Sequence, residues 1–149
     1  MKSVANEIFF EHVEALIADG ESVRLSIRGN SMRPWLRDGR HEVIVAPHSD
    51  GDLKKGAIVL FRCDGRHILH RIRRRTGRNL VLAGDGNCGT TEHCTTDDVA
   101  AVAVAVVTRK GRIIRCSSPV WRLKSACWLM LPTIVRRYVL ALLWKTGCR

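Results

Sequence analysis

Acidic residues are scarce in this chain. Fourteen Asp and Glu stand against 25 Lys and Arg, a net charge of +11 over 149 residues. An imbalance of that size suggests an anionic partner, either nucleic acid or a lipid surface. Aromatic residues are also few, at 5%, and three of the four tryptophans fall at Trp121, Trp128 and Trp144. That excludes a basic stacking surface of the single-strand-binding kind. The run Arg71, Arg73, Arg74, Arg75 and Arg78 falls where a hairpin turn is expected and reads as a solvated face, so nucleic acid is not the expected partner. No Cys-x-x-Cys pair occurs among Cys63, Cys88, Cys94, Cys116, Cys127 and Cys148, which argues against a structural zinc site. Cys88, His93 and Cys94 read as free side chains of a reducing compartment rather than metal ligands. No metal and no cofactor is implied. Residues 1–19 mix acidic and apolar side chains without a continuous apolar core, so they do not form a cleavable signal peptide. The default location is cytoplasmic or peripheral to a membrane.

What is present is a chain of single-domain length, 46% apolar and able to bury a core. Apolar residues near helical spacing predict a helix over 5–18, ended by Asp19-Gly20. Val23, Leu25 and Ile27 alternate with polar neighbours and predict a strand leading into a Gly-Asn-Ser turn. Further strands are predicted over 42–46, 57–62, 66–74, 80–83, 99–108 and 112–116. Asp64-Gly65, residues 77–79 and Lys110-Gly111 make the turns. The centre of the chain is thus a compact, mostly antiparallel β unit. Residues 119–144 are helical in pattern, with Pro132 near the middle.

Chemistry concentrates at Gly29-Asn30-Ser31-Met32-Arg33-Pro34. Gly29 and Asn30 tolerate tight turn geometry and Pro34 fixes the chain beyond. A serine held this way offers its hydroxyl to a substrate and its own N–H to an oxyanion. The plain alternative is a surface turn. A nucleophilic serine needs a base, and the best candidate is His70, which shares a strand face with Ile68 and Ile72. The bland reading of His70 is a core or edge histidine. His67, three residues earlier, faces the other way, and His93 is a weaker rival. His12, His41 and His48 read as solvated. Met32 and Trp35 are candidates for the substrate cleft, with core packing as their alternative.

Four stretches come in a telling order: Gly29 to Pro34, then Asp52 to Phe61, then His67-Ile68-Leu69-His70-Arg71-Ile72, then Leu82-Ala83-Gly84-Asp85-Gly86-Asn87. Over residues 23–108 the chain resembles the signal peptidase and self-cleaving repressor superfamily of serine peptidases. Gly56-Ala57-Ile58 departs from that family's Gly-Asp-Ile. His70 stands where common bacterial signal peptidases and the repressors carry lysine, so the chain is similar to the histidine-base signal peptidases of the endoplasmic reticulum and archaea. Histidine titrates near neutrality without the burial a lysine base requires. The resemblance implies a coiled antiparallel β fold with flanking helices. It also implies Asp85 as the carboxylate that orients His70, with Asp97 and Asp98 as second choices.

Two units are expected, a peptidase-like β domain over 1–118 and a C-terminal amphipathic segment over 119–149. Arg136 and Arg137 interrupt the apolar run, and each half is too short to span a bilayer. Tryptophans flanked by Arg and Lys suggest a segment lying in an anionic membrane interface, or else a helix packed on the β core. The stretch ahead of Ser31 is too short for the DNA-binding domain of the repressors beside the predicted helix and strand, so the chain is expected to lack both that domain and the membrane anchor of typical signal peptidases. The expected activity is a serine endopeptidase acting on signal or leader peptides, with Ser31, His70 and Asp85 as its catalytic residues and a peptide or protein as partner. The alternatives are a non-catalytic binding module on the same fold and a basic nucleic-acid-binding regulator related to the repressors.

Overall fold

In the computed structural model, residues 2–146 are described. Helix α1 (Lys2–Ala18) leads into eight strands: β1 (Val23–Ser26), β2 (His41–Ala46), β3 (Ile58–Cys63), β4 (Arg66–Thr76), β5 (Asn79–Ala83), β6 (Glu92–Thr95), β7 (Val99–Thr108) and β8 (Ile113–Arg115). Helices α2 (Pro119–Met130) and α3 (Thr133–Thr146) follow. The fold is the expected one, mostly antiparallel β with flanking helices.

The strand order is β1-β2-β7-β3-β4-β5-β6, with β8 also on β7, and every pairing is antiparallel. Hairpin turns follow the backbone signals. Asp64 and Gly65 both take positive φ, 50° and 72°, which joins β3 to β4 in two residues. The sheet is buried on both faces. Ile58 and Leu60 enter one apolar cluster with Val43, Val45, Ala101 and Val13 of α1. Val59 and Phe61 enter a second with Ile72, Leu80 and Leu82. Alternation along β3 therefore supplies two cores, because successive side chains point to opposite faces.

Three local expectations are corrected. β6 was not expected: Glu-His-Cys-Thr has no apolar alternation, and its pairing with β5 makes it a strand. The basic run is not a uniformly solvated face, since Arg71 is fully buried. His41 and His48 are half-buried rather than solvated. His41 Nδ1 accepts the Arg37 N–H at 3.1 Å, and His48 Nε2 lies 3.0 Å from the Val99 carbonyl oxygen.

The C-terminal helices break at Pro132 and meet at a bend of 117°, and no single helix is long and apolar enough to cross a membrane. α2 is capped by Ser118, whose hydroxyl accepts the Trp121 N–H. Its buried face carries Trp121, Ser125 and Trp128, and Trp121 belongs to the first core cluster. Cys148 lies outside the described residues.

Candidate active site

The turn after β1 is built to hold Ser31. Gly29 takes φ 77° and its N–H donates to Asp38 Oδ2 at 2.9 Å. The Arg33–Pro34 peptide is cis. Arg33 N–H returns to the Asn30 carbonyl, and Leu36 N–H to that of Met32. The Gly84-Asp85-Gly86-Asn87 loop beyond β5 closes on this turn, with Gly86 N–H donating to the Ser31 carbonyl at 2.8 Å. The approach is so close that a Cβ on Gly84 would sit 2.2 Å from the Ser31 carbonyl oxygen and 3.1 Å from His70 Nε2. Ser31 and the imidazole are thus neighbours across one glycine, and only glycine fits there.

His70, on β4, is 4% exposed. Nδ1 faces Glu92 Oε2 at 2.8 Å, while Nε2 lies beside Gly84, which also packs on the Ser31 carbonyl. The carboxylate behind the imidazole is therefore Glu92, from β6, and not Asp85. Among the described residues no hydrogen bond joins the Ser31 hydroxyl to the ring, and such bonds are often long before substrate arrives.

Asp85 is fully buried and already committed. Arg71 Nε bonds both its carboxylate oxygens at 2.9 and 3.0 Å, and Arg71 Nη2 bonds Oδ2 at 2.7 Å. Arg71 Nη1 also donates to the Gly56 carbonyl, and Trp128 Nε1 to the Asp85 carbonyl. This cluster ties the glycine loop, β4 and α2 together beneath Ser31. The second choices are occupied as well. Asp97 pairs with Arg78, and Asp98 accepts the Thr95 N–H and hydroxyl at the start of a 3-10 turn.

The other histidine candidates stand apart. His67 stacks on Phe10 of α1 and bonds Glu14 at 2.7 Å, and His93 is exposed. Met32 is 3% exposed within the first core cluster, and the Trp35 ring packs edge-on against Trp121 and Trp128. Neither lines the cleft, because both turn inward to anchor the serine turn. The cleft, of about 190 Å³, is walled instead by Arg33, Pro34 and Asn87 on the β side and by Leu140, Leu143 and Trp144 of α3. The Arg33 guanidinium lies 4.5 Å above the Trp144 ring.

A family model described as Peptidase S24-like matches residues 4–106. The chain belongs to this family. The match spans α1 and most of the β body, including Ser31, His70 and Glu92, and places the chain in the superfamily of the signal peptidases and self-cleaving repressors. Helices α2 and α3 lie beyond it. Neither the curated proteins nor the solved structures give a match. Membership of the S24-like family supports a serine peptidase or a repressor-type protein.

Sequence reasoning missed Glu92. The usable signal was the strand-length run Thr91 to Thr95 between the glycine loop and the next turn. β6 pairs with β5 on the side away from β4, but the sheet curls so that β6 also comes against β3, and Glu92 thereby reaches His70.

Proposed function

We propose that the chain is a serine endopeptidase that cleaves a signal or leader peptide with Ser31, His70 and Glu92. The observation that carries this is the two-sided setting of His70: Nε2 beside Gly84, which packs on the Ser31 carbonyl, and Nδ1 on a carboxylate. His70 Nε2 takes the proton of the Ser31 hydroxyl as its oxygen bonds to the peptide carbonyl carbon. Glu92 accepts from Nδ1–H, which fixes the tautomer with Nε2 free to accept. The imidazolium then returns the proton to the departing amine, and water hydrolyses the acyl-enzyme by the same route in reverse. Among the described residues the Ser31 N–H makes no backbone hydrogen bond, which suits it to hold the oxyanion. Asp85 acts through Arg71, keeping the glycine loop on the serine turn. The cleft wall of Leu140, Leu143 and Trp144 favours an apolar stretch of peptide.

The test is cleavage of a leader peptide by purified protein. Ser31→Ala and His70→Ala each remove cleavage while leaving the unfolding midpoint near that of the parent. Cleavage that survives either change refutes the assignment. Parent protein inert to peptides and to serine-directed acylating reagents would mark a binding module instead.

The partner proposed for the outer face of α2 and α3 is an anionic membrane surface. Val120, Leu123, Met130, Ile134 and Tyr138 are all exposed there, interleaved with Arg122 and Lys124. Apolar side chains with flanking cations suit a helix pair lying in the headgroup region. On this reading the protein is peripherally associated with a membrane.

A further inference from the structure

The cleft beside Ser31 carries two arginines that the proposed chemistry does not use. Leu36 N–H bonds back to the Met32 carbonyl, so residues 32–36 make one helical turn, and side chains four apart share a side of it. Met32 and Leu36 take the inner side, 3% and 0% exposed, and lock the turn into the first core cluster. Arg33 and Arg37 each follow one of that pair, and both line the same cleft as Ser31. The core-seeking pair thereby sets where the cationic pair points.

Neither guanidinium is committed to the fold. Among the described residues neither has an ion pair or a side-chain hydrogen bond. Arg33 Nε is buried without an acceptor. The Trp144 ring, 4.5 Å from Arg33 Cζ, offers the charge a π face but no oxygen for the N–H groups. The nearest acid along the chain, Asp38, accepts the Gly29 N–H instead. No Asp or Glu among the described residues lines the cleft. Arg71 and Arg75 are the contrast, each held by a carboxylate and by backbone carbonyls.

The opposite wall is apolar, formed by Leu140, Leu143 and Trp144. At about 190 Å³ the cleft is smaller than the about 300–1,000 Å³ of pockets for whole small-molecule ligands. It suits part of an extended peptide. Two cations without counter-charge beside an apolar wall attract a carboxylate more strongly than they would in open water.

We propose that Arg33 and Arg37 select a peptide that carries Asp or Glu next to its apolar stretch. The acidic side chain rests on the two guanidiniums, whose forked N–H groups match its oxygens, and the apolar residues lie on the α3 wall. This rests on the peptidase reading of Ser31 and names the class of substrate for it.

The test measures binding apart from cleavage. Short fluorescent peptides carry an apolar run with Glu placed at each position in turn, and each has a Gln twin. Anisotropy titration uses the whole chain with Ser31→Ala, alone and combined with Arg33→Gln or Arg37→Gln. A carboxylate on paired guanidiniums makes the best Glu peptide bind about tenfold or more tighter than its twin. That ratio falls towards one when either arginine is replaced. Equal Kd for twins at every position overturns the proposal, and so does a Glu preference that survives both arginine replacements. The twin comparison varies the charge on the peptide, so it stands even where an arginine variant fails to fold. The parent chain is then given the same peptides and followed for cleavage. A Glu preference in binding without cleavage keeps the acidic subsite and removes the peptidase. Cleavage that ignores Glu does the opposite.

Discussion

Substituting Glu92 by Gln keeps the side chain's size and removes the charge that faces His70 Nδ1. The expected result is a fall in kcat of about 10²–10⁴-fold with the urea midpoint nearly unchanged, since the loss falls on the tautomer and on the imidazolium that forms. Asp85→Asn should do the reverse. It leaves Arg71 buried without its counter-charge, and such a break costs about 3–5 kcal/mol, read as a lower urea midpoint. The pair of variants separates a residue of the chemistry from one of the scaffold. A large kcat loss in Asp85→Asn at unchanged stability would restore Asp85 to the imidazole. Sequence alone pointed to Ser31 and His70 as candidates because a glycine turn and strand alternation are local signals. It put Asp85 behind the imidazole where the structure has Glu92, because two carboxylates lie within reach of adjacent strand residues. Which one meets His70 and which meets Arg71 depends on a pairing between β5 and β6 that no local pattern announces.

At the scale of elements, the strands that could be read were those with apolar alternation or a turn dipeptide at one end. β3 and β7 are buried on both faces, and their runs of Val, Ile and Ala say so. β6 is four polar or small residues held by its neighbour, and it was invisible for that reason. α2 was visible as a helix, but its two tryptophans were ambiguous between a membrane face and a core. In the structure Trp121 and Trp128 point inward. Two substitutions grade their parts. Trp121→Ala removes a core side chain and is expected to cost about 3–5 kcal/mol. Trp128→Phe keeps a smaller aromatic ring and loses the N–H to the Asp85 carbonyl, and the lost hydrogen bond is worth about 0.5–1.5 kcal/mol. Urea unfolding followed by far-UV circular dichroism measures both. Equal costs would mean that the indole N–H, not packing, fastens α2 to the site.

For the whole molecule, His41 ties stability to pH. Its pKa is held below 6.5 in the folded chain by burial first, and then by the charges of Arg37 and Arg40. The unfolded chain therefore binds a proton at a pH where the folded one does not. Stability is retained above that range and falls as pH drops from about 7 to about 5. His41→Asn, which can still accept the Arg37 N–H, should flatten that part of the profile in urea midpoints taken across the range. An unchanged slope would assign the effect to other groups. The position of α3 along the chain has a temporal consequence. Residues 133–146 leave the ribosome after every other segment that borders the Ser31 cleft. A nascent chain can pair its strands and seat the serine while that cleft still lacks one side. If the proposed function holds, competence to grip a peptide arrives last, and arrested chains ending before α3 should hold peptide more weakly than released ones.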